Sequence, residues 1–140
     1  MTTEFIELAG KVNQQMPYHC VEKAQRVLND AGMSVKGARV TVLGVSYKPG
    51  VGDLRQSPAL KIAALLGGLG ADITYHDPFV PAVSDSELRG VGFDEALDRC
   101  DLAVIVTAHP GVDHDAIAER APLVVDLRGV TRGARRTVLL

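Results

Sequence analysis

The sequence predicts an α/β domain, a Rossmann-like open parallel sheet flanked by helices and preceded by an N-terminal helical segment. Three observations carry that reading. Short, β-branched apolar runs at 38–45, 102–107 and 123–126 have the length and composition of strands buried on both faces. Apolar residues at helical spacing lie between them, and Gly, Pro, Ser and Asp stand at the junctions. Strand–helix–strand order of this kind implies a parallel sheet with right-handed crossovers.

Taken in order, the first 35 residues read as helical. Thr3 can cap a helix carrying Phe5, Leu8, Ala9 and Val12, and Pro17 is expected to end or kink it and open a second one. That second helix places Val21, Ala24, Val27 and Leu28 on one face and stops near Gly32. The domain proper is expected to span 36–140, opening with the strand at 38–45. A Gly/Pro-rich loop follows from Lys48 to Gly52, and Ser57-Pro58 starts a helix with Ser as N-cap and Pro at its first position. Gly67, Gly68 and Gly70 are expected to stop it before a strand at 71–76 that ends in Asp77-Pro78. The polar loop 80–92 has room for a short edge strand. A short helix at 93–100, the strand at 102–107, a helix capped by Asp113 and the strand at 123–126 complete the pattern. Residues 132–140 carry little signal and read as a loose tail.

Composition bounds the function. With 140 residues, 46% of them hydrophobic, the chain is long enough to bury a core. A formal net charge of -2 supplies no global field for nucleic acid or an anionic membrane, so any anion site has to be built locally. Cys20 and Cys100 stand far apart without CxxC spacing, which predicts buried packing thiols and a reducing, cytoplasmic location. No apolar stretch reaches the roughly 18 residues of a membrane span.

Open parallel sheets bind ligands beyond the carboxyl ends of their strands, where strand order reverses. The sequence places Tyr47, Lys48, a glycine-rich loop and Arg55 after the first strand, and Asp126, Arg128 and Gly129 after the last recognised one. Glycine lets backbone N–H groups approach phosphate, lysine adds a point cation and arginine a planar fork. The alternative is that Lys48 and Arg55 are solvated loop charges and Arg128 pairs with Asp126. The loop after Gly44 is not G-x-G-x-x-G, and no P-loop is present, so an isolated dinucleotide or NTP-hydrolysing site is disfavoured. His76, His109 and His114 lack metal-ligand spacing and read as structural or surface residues. No nucleophile-and-base pair stands out.

The run from Val42 to Leu60, including Tyr47-Lys48-Pro49-Gly50 and Asp53-Leu54-Arg55-Gln56-Ser57-Pro58, resembles the UDP-glucose/GDP-mannose dehydrogenase family at the opening of its C-terminal, UDP-binding domain. Three further stretches match in order: 12–17, 70–81 and Leu123-Val124-Val125-Asp126-Leu127-Arg128. The stretch Thr107-Ala108-His109-Pro110-Gly111-Val112-Asp113 and the ending Asp126-Leu127-Arg128-Gly129-Val130 are similar to the UDP-N-acetylhexosamine 6-dehydrogenase branch. The resemblance implies a UDP-sugar ligand contacted by Tyr47, Lys48 and Arg128, and an NAD cofactor reached by Arg55. It implies that 1–35 ends a central dimerisation region, so that two copies associate through these helices. It also implies that the NAD domain and the catalytic cysteine lie upstream of Met1. The chain so read is a truncated product or excised domain, inactive in oxidising the sugar C6 hydroxyl to a carboxylate. A non-catalytic regulatory or assembly module that joins a full-length dehydrogenase is the alternative.

Overall fold

The computed structural model describes residues 2–46, 57–83, 88–131 and 137–139, and the side chains within 15–46, 57–83 and 88–131. Helix α1 (Thr2–Asp30) leads into β1 (Arg39–Leu43), α2 (Pro58–Gly68), β2 (Asp72–His76), β3 (Arg89–Gly90), α3 (Phe93–Arg99), β4 (Leu102–Ile105), α4 (His114–Arg120), β5 (Val124–Asp126) and β6 (Thr137–Leu139). The strands form one sheet in the order β3-β2-β1-β4-β5-β6, and every pairing is parallel.

Side-chain alternation along the strands divides the core into two layers. Val40 and Val42 of β1, Leu102 and Val104 of β4 and Val125 of β5 face α1 and α2, against Cys20, Ala24, Leu28, Ala59, Ile62 and Leu66. Leu43, Ala103, Ile105 and Val124 face the other way, against Leu97 of α3 and Ile117 of α4. Both faces of β4 are buried throughout, which is why its sequence is a continuous apolar run rather than an alternating one. The two thiols are divided between the layers, Cys20 in the first and Cys100 in the second, and both are free. Burial pushes the Cys20 thiol up to about 12 and, with Asp101 adding to it, the Cys100 thiol up to about 11. Both are packing residues, as expected.

Two expectations need correction. Pro17 does not end a helix; α1 continues through it from Thr2 to Asp30. Proline removes one backbone donor and crowds the preceding turn, at a cost of about 3 kcal/mol. Beyond Pro17, however, the helix buries Cys20, Val21, Ala24, Val27 and Leu28. At about 1.5–3 kcal/mol for each large apolar side chain, that packing outweighs the proline. The C-terminal segment is likewise not wholly a tail, because Thr137–Leu139 pairs with β5 from Val124↔Thr137 to Asp126↔Leu139. Its carbonyl and amide groups complete the edge of β5, a gain that a three-residue run does not advertise. The edge strand anticipated within 80–92 is present as β3, paired with β2.

Helix α2 begins as the sequence requires. The Ser57 hydroxyl accepts from Ala59 N at 3.3 Å, with Pro58 at the first helical position. It runs through Gly67 and Gly68, and the turn is made instead at Gly70, whose φ is +97°.

Candidate functional site

Strand order reverses between β1 and β4: the chain moves outward from β1 to β2 and β3, then returns to the other side of β1 for β4, β5 and β6. The crevice beyond the carboxyl ends of β1 and β4 is therefore the position where a sheet of this kind receives a ligand.

Gly44 makes the first turn out of β1. Its φ is +83°, and a Cβ at this position would lie 2.2 Å from the Thr107 carbonyl oxygen. Only glycine allows the two strand exits to close on each other here. The closure is bonded: Val106 N donates to Leu43 O at 2.9 Å, and the Thr107 hydroxyl donates to Ser46 O at 2.8 Å.

From there the chain is fixed by a carboxylate on the exit of β2. Asp77 Oδ2 accepts from Val45 N at 2.9 Å and Ser46 N at 3.1 Å, and His109 Nε2 lies 2.9 Å from the same oxygen. The other oxygen accepts from Phe79 N at 2.8 Å. Asp77 and His109 are both buried, and the Phe79 ring packs on the imidazole with centroids 4.6 Å apart. Burial disfavours the Asp77 charge, but the bonds from His109 and the backbone of Phe79, Val45 and Ser46 outweigh it and hold the carboxyl below its ordinary value. The Ser46 hydroxyl also meets His109 Nε2, at 2.9 Å. A Ser–His–Asp relay needs hydroxyl and carboxylate on opposite ring nitrogens. Here both meet the same nitrogen, so the three residues form a brace and not a nucleophile.

The far end of the connection is tied to the near end. Ser57, the N-cap of α2, donates its hydroxyl to Val45 O. Tyr47, Lys48 and Arg55 lie between these two anchors and outside the described residues. The structure thus fixes where that segment leaves and rejoins the fold, at the switch point.

Arg128 is described. It is exposed, and it follows β5 in a turn organised by Asp126. Asp126 Oδ1 accepts from Arg128 N at 2.9 Å and Gly129 N at 2.8 Å, while Oδ2 accepts from Thr131 N and its hydroxyl, both at 2.7 Å. Burial opposes ionisation of Asp126, and these bonds more than compensate, so its carboxyl too sits below the ordinary value. The expected alternative, an Arg128–Asp126 ion pair, is not what forms; the carboxylate is taken up by backbone and hydroxyl donors. The Arg128 guanidinium turns toward β4 instead, donating from Nε to Val106 O at 2.6 Å. Among the described residues its two terminal nitrogens have no partner, which leaves the two-pronged end for an anion.

Asp77, Ser46, Thr107 and His109 were not among the residues selected from the sequence. Asp77-Pro78 reads there only as a turn, although an acid directly after a strand of a doubly wound sheet stands at the carboxyl end, where such sheets receive ligands. No group of three His, Cys, Asp or Glu among the described residues could hold a metal ion, and no described helix is long and apolar enough to cross a membrane. The described part of the first βα turn also offers no dinucleotide cradle, since the open side of Gly44 is filled by Thr107.

A family model for the UDP binding domain of the UDP-glucose/GDP-mannose dehydrogenase family matches residues 41–133. The chain is 28% identical over 132 residues to the UDP-N-acetyl-D-mannosamine dehydrogenase of Pyrococcus horikoshii, covering 91% of this chain and 30% of that protein. It is 31% identical over 119 residues to the UDP-glucose 6-dehydrogenase of Rhizobium meliloti, covering 77% of this chain and 27% of the relative. Among solved structures, a UDP-glucose dehydrogenase from Pyrobaculum islandicum superposes with a TM-score of 0.71 at 31% identity, over 92% of this chain and 29% of that one. The structure of the Pyrococcus horikoshii enzyme gives 0.76 at 25% identity, over 96% and 32%. The chain thus spans about 30% of the length of the curated relatives it matches. Strand order, switch-point architecture and the match across 41–133 together establish that this chain belongs to the UDP-glucose/GDP-mannose dehydrogenase family, as its UDP-binding domain.

Proposed function

We propose that the chain grips the UDP part of a nucleotide sugar between Lys48, with Tyr47 beside it, and Arg128. The observation that carries this is the pairing of the two exits. The segment holding Tyr47 and Lys48 leaves at Ser46, bonded to Thr107. Arg128 reaches the neighbouring Val106 carbonyl, with its terminal nitrogens unengaged among the described residues. A diphosphate lying along these adjacent strand ends would meet both cations.

In this proposal the domain serves an NAD-dependent 6-dehydrogenase that oxidises the sugar C6 hydroxyl to a carboxylate. Residues 1–35 form the end of a region joining two copies, and 36–140 form the ligand domain. Arg55 would reach the NAD, which supplies the hydride acceptor when bound. The branch favoured is that of UDP-N-acetylhexosamines, acting in the cytoplasm, and the 140-residue chain alone does not turn over.

Calorimetric titration with UDP tests the reading. UDP binds the chain, and Arg128→Ala weakens binding at least about tenfold through loss of charge-assisted bonds. Unchanged affinity in that variant removes Arg128 from the site.

A further inference from the structure

We infer that Asp77 is the positioning residue of the UDP-sugar loop, with His109 as its partner, an inference that rests on the reading of Lys48 as a ligand contact. Val45 and Ser46 are the last described residues before that loop, and both backbone N–H groups donate to one oxygen of Asp77. They lie beyond the end of β1, where no ladder partner remains, so the carboxylate takes the place of the missing strand. His109, from the exit of β4, closes on the same oxygen. One buried carboxylate therefore joins the exits of β1, β2 and β4, two residues ahead of Lys48.

Every partner of Asp77 is a donor: three on Oδ2 and Phe79 N on Oδ1. An alanine in its place removes the acceptor from all three donors on Oδ2, whereas an asparagine can keep its carbonyl oxygen there and loses only the bond from Phe79 N. The effect on ligand is transmitted through the backbone of 45–46 rather than by contact.

The test is UDP affinity of the 140-residue chain by calorimetry, with amide exchange at Val45 and Ser46 as a second readout. In Asp77→Ala the Kd rises about tenfold and both amides exchange faster. His109→Leu gives the same pattern, whereas His109→Gln, whose amide N–H can replace Nε2–H, stays within about threefold of wild type. Val104→Ala, which destabilises the core away from the site, leaves the Kd unchanged. A folded Asp77→Ala with wild-type affinity overturns the inference while Lys48→Ala still abolishes binding. If Asp77→Ala does not fold, equal affinities in the two His109 variants overturn it instead. If wild type fails to bind UDP, or Lys48→Ala binds normally, the loop reading itself is wrong and the inference falls with it.

Discussion

Substituting alanine at Gly44 separates two costs that are usually confounded. Gly44 and Gly37 have nearly the same backbone, with φ of +83° and +85°, but a Cβ at Gly37 meets nothing within 4 Å. At Gly37 the substitution carries only the left-handed penalty of about 1–2 kcal/mol, less about 0.4–1 kcal/mol from restricting the unfolded chain. The net is near ~1 kcal/mol. At Gly44 the new Cβ would stand 2.2 Å from Thr107 O, 2.7 Å from Thr107 Cβ and 2.9 Å from Thr107 C. Backbone cannot rotate away, so the exits of β1 and β4 must part by roughly 1 Å to restore ordinary contact. That separation strains or breaks the Val106 N–Leu43 O and Thr107–Ser46 bonds, each worth about 1 kcal/mol. Gly44→Ala is therefore expected to lose about 3 kcal/mol, some ~2 kcal/mol more than Gly37→Ala. Urea unfolding followed by far-UV circular dichroism measures both, provided the denaturant slopes agree. Equal losses in the two variants would refute the argument that the strand exits are locked at Gly44.

Stability should fall in acid in two stages. His114 is held below its ordinary value by burial, against the pull of Asp126, Asp113 and Asp115. The unfolded chain then binds the extra proton first, and stability declines as pH drops below the ordinary 6.5 toward the lowered folded value. Asp77 and Asp126 are both lowered from 3.8, so their contributions are complete above about pH 5 and are lost as pH falls through the folded values. Urea midpoints from pH 8 to pH 3 check this; Asp126→Asn should flatten the acid stage and, by removing its pull on His114, deepen the first one. Ser57→Ala removes both the cap of α2 and the tie to Val45 O; a loss of about 1 kcal/mol for the cap is expected. It should also be accompanied by weaker UDP binding, measured by calorimetry. A stability loss without change in affinity would mean that the tie does not shape the loop.

The strands at the centre of the sheet were legible because they are buried on both faces, a constraint that leaves a continuous apolar run in the sequence. The start of α2 was legible for a local reason, since Ser-Pro satisfies the cap within a few residues. Where a tertiary gain overrides a local preference, reading failed: Pro17 looks like a break until the packing of Cys20 to Leu28 is counted. Strand β6 is three residues long beside the arginines of 132–136, and only its partner β5 identifies it. Arg128 was selected by its place after a strand, yet its orientation toward Val106 rather than Asp126 depends on backbone and hydroxyl donors that fill the carboxylate. The Asp77–His109 brace joins residues 32 apart in sequence and depends on topology alone.

The division of the two cysteines between opposite sides of the sheet gives the protein a built-in pair of gauges. Each thiol is sealed in a different helical layer and is chemically silent while that layer stays shut. A thiol reagent can reach Cys20 only when α1 and α2 lift, and Cys100 only when α3 and α4 do. The rates at which the two are modified therefore register how independently the halves of the molecule breathe, with no label introduced and no residue changed.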